Sequence, residues 1–548
     1  MGKRHSRSGA GSPPSDLPRS VDCGLVADTD PYVPSVVGRS PFPGFGYRTN
    51  DPPQRRASLH GAPRPDTTSP VSDVIPVGHG INLGIRWRQF RGFEDTQWLR
   101  LKPLTILLGA NSSGKSSLIA PLLLMKQSLD SQTGRNALLT RGDYVNVGSF
   151  RDFAHDHRLD ATVSLGIRWH SHPASQAKRP VGEYTPGGVE LGFVRGDDLH
   201  QVKLKSYRVD DLYRRVMLHR VLAEDERYTL RMARIPKRAR RADSKGKRAE
   251  VNQAMRAAAR EARPVDFLFT SAAVRHAAID AGTDGDAPTF PALLDDDRIR
   301  FYCQIVDYVQ LRIEDIATNL YFLGPLREPP KRVYELSGEM PPDVGTRGEH
   351  APEILYRWRN DEQRSDEVKT WLRHFGFSDE IRFEAVGDEG FALSFGSKGR
   401  ANSVLDVGFG LSQILPLIVQ GLRAPPLSWL IVEQPEIHLN PRLQAALADL
   451  LVGLSKRDVG LIIETHSEHL LLRLRRLLAD DSIAVSDVGL HFVERSGTTS
   501  LVREVPLDQS GYVEPKDWPQ GFFDDSLRES LGLAQAQASR PRPDGVQT

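Results

Sequence analysis

Cysteine is nearly absent, since the 548 residues include only Cys23 and Cys303. Two cysteines this far apart cannot form a zinc site on their own and do not indicate a disulfide framework, which fits a reducing compartment. Apolar runs are also short, and none approaches the roughly 18 residues that a membrane-spanning helix needs. The basic first residues lead into no apolar segment, so they do not form a secretory signal. We therefore expect a soluble, cytoplasmic protein without a membrane partner.

Excess charge of either sign is missing as well, since the formal net charge is only +2. Any affinity for nucleic acid must therefore come from a local patch. Residues 231–263 supply one, with twelve basic and three acidic side chains. Such a segment would contact the phosphate backbone of DNA or RNA without reading its sequence, and with strong salt dependence. A solvated helical arm is the alternative interpretation.

Composition divides the chain into segments. The N-terminal 80 residues contain thirteen of the 38 prolines and no lasting hydrophobic period, which predicts a disordered extension. Alternating strand and helix signals elsewhere predict an α/β fold in two lobes. The expected units are 1–80 as the extension, 81–206 as the first lobe, 207–320 as a largely helical insertion, 321–490 as the second lobe, 491–533 as a small C-terminal domain and 534–548 as a disordered tail.

A complete phosphate-binding loop follows the apolar strand LTILL. The sequence GANSSGKS matches the pattern G-x-x-x-x-G-K-[ST], and a helix is expected to begin at Lys115. Backbone N–H groups of such a loop surround phosphates, the lysine reaches the β- and γ-phosphates, and the serine hydroxyl binds Mg²⁺. The predicted nucleotide-binding residues are Gly109, Ala110, Asn111, Ser112, Ser113, Gly114, Lys115, Ser116 and Ser117. We therefore expect ATP with Mg²⁺ as the ligands.

A second apolar strand, WLIV at residues 429–432, ends in the acidic sequence Glu433-Gln434-Pro435-Glu436. A carboxylate at the tip of a strand beside a phosphate loop is placed to hold Mg²⁺ directly or through water. The predicted metal ligands are therefore Ser116 and Glu433. An ordinary acidic turn after a strand is the alternative interpretation.

Two further motifs make the resemblance of this chain to a known family specific. The sequence DVGFGLSQILP, residues 406–416, resembles an ABC signature loop leading into a helix, with Gly408, Gly410 and Ser412 as phosphate-contacting residues. The sequence GLIIETHSEHLL places His466 where ABC ATPases have the switch histidine that contacts the γ-phosphate. The order of phosphate loop, signature, acidic strand and histidine resembles that of the ABC-type ATPases related to SMC, RecF and OLD proteins.

The resemblance becomes narrower with the sequences EQPEIHLNPRLQ, TRGEHAPEIL, LGPLREPPKRVY and DWPQGFFDDSLRESL. Together they resemble a bacterial group of OLD-like ATPases that carry a small C-terminal domain of unknown function and are often linked to phage defence. The resemblance covers roughly residues 81–533. It implies a P-loop NTPase fold of ABC/SMC-head type with a helical insertion between the two lobes.

The resemblance also implies an assembly. In such ATPases the signature loop of one head faces the phosphate loop of another, so Ser412 of one subunit would complete the site built on Lys115 of its partner. One signature and one phosphate loop per chain predict an ATP-dependent homodimer. Only 58 residues follow Leu490, fewer than the nuclease domain of OLD proteins needs, so we expect a separate effector, such as a nuclease.

The acidic strand departs from the family pattern at one position. Most ABC-type ATPases have Asp-Glu where this chain has Glu433-Gln434, and an amide cannot accept a proton from water. Three hypotheses follow: hydrolysis is slow in a nucleotide-gated scaffold, Glu436 supplies the base, or the γ-phosphate takes the proton while Gln434 orients water. The catalytic set is then Lys115, Gln434, Glu436 and His466, and a RecF-like DNA-repair clamp is a further alternative.

Overall fold

The structure is a computed structural model that describes residues 83–131, 137–169, 186–223, 228–232, 264, 267–269, 297–396, 402–405, 409–514, 516–518 and 532–537. All of them lie in one compact unit, Ile75–Thr548. The expected disordered extension at 1–80 lies outside the described residues. Residues 532–537 form a helical turn that includes the first four residues of the expected disordered tail at 534–548, and the rest of that tail lies outside the described part.

The strands and helices are numbered in chain order. The strands are β1 (Leu83–Phe90), β2 (Phe93–Asp95), β3 (Leu99–Leu101), β4 (Leu104–Leu108), β5 (Val163–Trp169), β6 (Pro186–Arg195), β7 (Val202–Asp211), β8 (Val216–Leu222), β9 (Tyr228–Met232), β10 (Leu320–Leu323), β11 (Tyr334–Glu335), β12 (Ile381–Val386), β13 (Gly390–Phe395), β14 (Asn402–Ser403), β15 (Trp429–Glu433), β16 (Gly460–Glu464), β17 (Val488–Ser496) and β18 (Thr499–Glu504). The main helices are α1 (Lys115–Asp130), α2 (Phe150–Phe153), α3 (Asp297–Thr318), α4 (Ala351–Arg357), α5 (Glu362–His374), α6 (Phe409–Arg423), α7 (Pro441–Ser455) and α8 (Glu468–Ala479).

A six-stranded sheet holds the phosphate loop, with the strand order β10-β15-β16-β4-β17-β18. Every neighbouring pair is parallel except the β17–β18 hairpin. The strands β4 and β16 are buried along their whole length, as expected for parallel strands covered on both faces. Helices α4 to α8 contribute to the core on one side. The carboxyl ends of β4, β10, β15, β16 and β17 meet at one edge, where ligands of such sheets bind.

An antiparallel sheet forms the other large layer, in the order β2-β1-β5-β6-β7-β8-β9 with β3 paired to β1. Its apolar side chains share a core with those of α1 and α3. The indole N–H of Trp87 in β1 donates to the Leu118 carbonyl in α1 at 2.7 Å, which ties this sheet to the helix after the phosphate loop. The predicted α/β fold with an antiparallel first lobe is confirmed.

The expected largely helical interval 207–320 begins instead as strand. β7 crosses the boundary at 206/207, and β8 and β9 extend the antiparallel sheet to Met232. Backbone pairing with neighbouring strands decides this, since Val209 pairs with Leu218 and both are buried in the core. Within the described residues of this interval, a long helix begins only at Asp297. Most of the basic segment 231–263 lies outside the described residues.

The expected boundary between residues 490 and 491 divides a strand. β17 runs from Val488 to Ser496 and pairs with β4 along Val488–Phe492, and β18 returns beside it. The start of the expected small C-terminal domain is therefore part of the central sheet. Among the residues that the structure describes, no helix is both long enough and apolar enough to cross a membrane.

Candidate nucleotide-binding site

The phosphate loop lies where β4 gives way to α1, as the sequence predicts. Gly114 precedes the helix with φ of 115°, and the first turn has neither a side-chain cap nor an acidic residue. The N–H groups of this helix end are therefore free to bind an anion. Lys115 is 4% exposed, and its ammonium donates to the carbonyls of Gly109 at 3.0 Å and Ala110 at 2.9 Å.

The carboxylate that contacts this loop belongs to Glu464. The Ser116 hydroxyl donates to Glu464 Oε2 at 2.9 Å, and Lys115 Nζ lies 3.9 Å from Glu464 Oε1. Strand order explains the contact, because β16, which ends in Glu464, lies directly beside β4. A carboxylate hydrogen-bonded to the phosphate-loop serine is in position to share a Mg²⁺ ion with it. Sequence reasoning missed Glu464, although it ends an apolar strand just as Glu433 does.

Glu433, the metal ligand predicted from sequence, lies one strand further away. β15 pairs with β16, and Glu433 is the register partner of Glu464. The Ser116 hydroxyl contacts Glu464 and not Glu433. Burial, reinforced by the neighbouring Glu464 carboxylate, raises the pKa of Glu433 to about 7, while Arg327 acts in the opposite direction. The two carboxylates form a pair in which only Glu464 directly contacts the loop.

This pair makes stability depend on pH in a defined direction. Because the folded pKa of Glu433 is raised from 4.5 to about 7, the folded protein binds a proton more tightly than the unfolded chain. Its stability should therefore fall as pH rises between these values, by about 3 kcal/mol at most. We expect Glu433→Gln to melt at a higher temperature than wild type at pH 8, with the difference shrinking as the pH falls and vanishing only below the unfolded pKa of 4.5. Differential scanning fluorimetry without Mg²⁺ or nucleotide measures this. Parallel curves of melting temperature against pH for wild type and Glu433→Gln would contradict this prediction. The control is Glu494→Gln, at an exposed position of β17.

Glu436 and His466 lie together at the same edge. The backbone N–H of His466 donates to Glu436 Oε1 at 2.6 Å. Glu436 Oε2 and His466 Nε2 are buried and have no hydrogen-bond partner in the described part of the chain. Burial raises the pKa of Glu436 and lowers that of His466, and Lys115 is an electrostatic neighbour of both groups. The structure thus brings these two predicted residues to the phosphate loop.

Gln434 is held by its backbone. Its φ is 45°, and its N–H donates to the Glu464 carbonyl at 2.7 Å. This contact fixes the turn after β15 against the end of β16.

Arg327 is a further residue that sequence reasoning did not assign. It is 7% exposed and has Glu433 and Glu436 as electrostatic neighbours. Arg327 lies in the motif LGPLREPPKRVY, but nothing in that motif alone indicates where the Arg327 side chain lies in the folded protein.

The signature segment is described only in part. Gly408 lies outside the described residues, whereas Gly410 and Ser412 lie within α6. Ser412 is the fourth residue of the helix, so it is not the N-cap, and it is 8% exposed. A Cβ on Gly410 would lie 3.2 Å from the Leu443 side chain, so close helix packing accounts for this glycine. The contact of these residues with a partner's nucleotide remains a prediction.

The residues present fit ATP with Mg²⁺. The uncapped helix end and Lys115 suit phosphate oxygens, and Ser116 with Glu464 forms an oxygen pair of the kind that Mg²⁺ prefers. Among the described residues, no group of three His, Cys, Asp or Glu side chains could hold a metal by itself.

The strand order and the phosphate loop define the class: the chain contains a P-loop NTPase domain. Residues 245–473 match the family model described as "AAA domain, putative AbiEii toxin, Type IV TA system". Residues 483–533 match the model described as "Protein of unknown function (DUF3696)". The first match begins after the phosphate loop and includes Glu433, Glu436 and Glu464. The chain is thus an ATPase-type protein similar to the AAA domains of that model.

Solved structures of SMC heads are similar in part. One is the SmcHead bound to the C-winged helix domain of ScpA, with 12% identity, a TM-score of 0.34 and coverage of 78% of this chain and 98% of that one. Another is the SMC head domain from Thermotoga maritima, with 10% identity, a TM-score of 0.32 and coverage of 78% and 100%. No curated protein matches the chain. Because these TM-scores are low, the fold assignment rests on the strand order and the phosphate loop.

Proposed function

We propose that the chain binds ATP with Mg²⁺ and hydrolyses it slowly. The observation that carries this proposal is the contact of Glu464 with both Lys115 and Ser116, the two side chains of the loop that interact with nucleotide and metal. Mg²⁺ bound there would neutralise charge on the phosphates. Lys115 orients the phosphates, and Glu464 holds the Ser116 hydroxyl in place. Glu436 accepts the proton of the attacking water, because Gln434 cannot.

The first test measures ATP binding and hydrolysis by the full chain and by Lys115→Ala. Loss of the ammonium removes a charge-assisted contact to phosphate, so ATP should bind about 10- to 100-fold more weakly. Calorimetry gives the affinity, and phosphate release gives the turnover. Lys102→Ala is the matched control, because this lysine lies at the other end of β4. Equal ATP affinity of wild type and Lys115→Ala would refute the site.

A nucleotide-gated scaffold with negligible turnover is the second candidate, and Gln434 is the observation that favours it. In both candidates we propose an ATP-dependent homodimer in which Ser412 of one subunit completes the site of the other. Closure would act on nucleic acid through residues 231–263 or on a separate effector, in antiviral defence. Light scattering with and without ATP tests the dimer. Turnover that DNA stimulates would favour the nucleic-acid role, whereas ATP-driven dimerisation without turnover would favour the scaffold.

A further inference from the structure

Arg327 follows the carboxyl end of β10, the edge strand beside β15. Leu323 is the register partner of Val432, so the two strands end together at the edge that also holds the phosphate loop. The segment around Arg327 is fixed on both sides: the Gly324 N–H donates to the Thr346 carbonyl and the Glu328 N–H to the Arg347 carbonyl, each at 2.8 Å. The position of Arg327 is therefore set by backbone contacts and not by an ion pair of its own.

Nearby acids do not pair with Arg327. Glu328, its neighbour in sequence, forms ion pairs with Arg347 at 3.1 Å and Lys331 at 3.5 Å. Within the part of the chain that the structure describes, no carboxylate lies in ion-pair contact with Arg327, and its Nε and Nη1 have no hydrogen-bond partner. Burying an unpaired guanidinium costs several kcal/mol, and orphaned buried donors are rare in folded proteins.

The surroundings of Arg327 show where an anion would lie. Glu433 and Glu436 are its electrostatic neighbours, and Glu436 is in turn a neighbour of Lys115. The Glu436 side chain thus lies within electrostatic range of both cations, and Lys115 is the residue type that reaches the β- and γ-phosphates. A terminal phosphate, with its higher charge and several acceptor oxygens, suits a guanidinium fork.

We propose that Arg327 binds the γ-phosphate of the ATP held by its own chain, and so distinguishes ATP from ADP. This inference rests on the proposed function, that the site binds ATP. The motif LGPLREPPKRVY, which begins at the end of the edge strand β10, would then recognise the triphosphate through Arg327. Loss of the γ-phosphate would leave Arg327 with Glu433 and Glu436 as electrostatic neighbours.

The test compares two nucleotides on the full chain: ADP and a non-hydrolysable ATP analogue, each with Mg²⁺, by calorimetry. We expect Arg327→Gln to weaken binding of the ATP analogue about 10- to 100-fold, as the loss of hydrogen bonds to a charged group does, and that of ADP less than about 3-fold. Arg332→Gln is the matched control, because it removes the same charge from an exposed position five residues further on. It should change neither affinity.

Arg327→Lys guards against a folding defect, because it keeps the positive charge beside Glu433 and Glu436 but lacks the planar fork. It should fold as wild type and still lose affinity for the ATP analogue selectively. Wild-type affinity for both nucleotides in the two Arg327 variants would overturn the inference while leaving the proposed function intact. An equal loss for both nucleotides would overturn it too, since it would indicate only charge balance with the carboxylates. If wild type binds neither nucleotide, the proposed function fails, and the inference with it.

Discussion

Glu436→Gln is expected to lower ATP turnover at least about 100-fold while leaving ATP affinity within a few-fold of wild type. The reason lies in the position of the side chain. One oxygen, Oε1, accepts from the His466 backbone, and the other, Oε2, is buried without a partner among the described residues. Glutamine keeps the shape and one acceptor but cannot take a proton. Phosphate release under single-turnover conditions separates this chemical step from nucleotide binding.

The pH profile gives this prediction a second readout. Burial raises the pKa of Glu436, so its carboxylate becomes protonated as the pH falls towards the acid range. A base that is protonated cannot accept a proton, and wild-type turnover should therefore fall on the acid side. The residual turnover of Glu436→Gln should lack this fall. Glu494→Gln, at an exposed position of β17, should behave as wild type.

Two outcomes would contradict a base at Glu436. If Glu436→Gln keeps wild-type turnover, the γ-phosphate itself takes the proton while Gln434 orients water. If wild type is inert and Gln434→Glu gains turnover, the chain is a scaffold whose missing carboxylate lies at residue 434. An unchanged rate in Gln434→Glu would count against the scaffold. The three hypotheses thus predict different results for the same pair of variants.

Local patterns made part of the site predictable. The phosphate loop is one continuous stretch in which every residue has a fixed backbone task, so the sequence GANSSGKS between an apolar strand and a helix predicts it directly. Glu464 was not predictable in this way. Its contact with Ser116 depends on β16 lying between β4 and β15, and strand order is set by packing of the whole sheet. Sequence alone therefore favoured Glu433, which ends a strand equally apolar but one position further from the loop.

The strands found at residues 207–232, where helix was expected, have a similar cause. The residues of β8 read VMLHRVL, and its burial does not follow a strict alternation. Apolar spacing of this kind fits a helix or a strand, and length cannot decide for so short a run. The strand forms because the edges of β7 and β9 supply its backbone partners. Such pairing partners lie in other segments, and a local pattern does not contain them.

The hairpin of β17 and β18 has a consequence for the phosphate loop. It lies within residues 483–533, the match to the model of unknown function. The Ser500 hydroxyl donates to the Ser113 carbonyl at 2.7 Å, and the Ser500 N–H donates to the Gly92 carbonyl at 2.6 Å. We infer that this hairpin holds the phosphate loop in its shape, because the Ser500 side chain contacts the loop backbone at Ser113 while the Ser500 N–H is fixed to the turn between β1 and β2.

Gly109→Ala should therefore damage both the fold and nucleotide binding. Gly109 has φ of 148°, and a Cβ there would lie 2.2 Å from the Val493 carbonyl oxygen of β17. The collision is with backbone in the middle of a sheet, so no side-chain movement relieves it. Backbone strain and overpacking each cost about 1–3 kcal/mol. We expect a loss of about 3 kcal/mol or more, which lowers the melting temperature of a unit of this size by roughly 3 °C or more.

Gly497→Ala is the matched control, because Gly497 lies in the turn of the same hairpin with φ of 62° and a Cβ there would meet nothing within 4 Å. Gly497→Ala should lower the free energy of unfolding by about 1–2 kcal/mol, because alanine is strained in the left-handed region, but it causes no collision. ATP binding should survive in Gly497→Ala and fall in Gly109→Ala even well below the melting temperature, as calorimetry can show. If the two variants have the same melting temperature and the same ATP affinity, the hairpin does not hold the phosphate loop in its shape. If only Gly109→Ala loses ATP affinity, the hairpin of β17 and β18 contributes to the nucleotide site, because the phosphate loop keeps its shape by packing against β17.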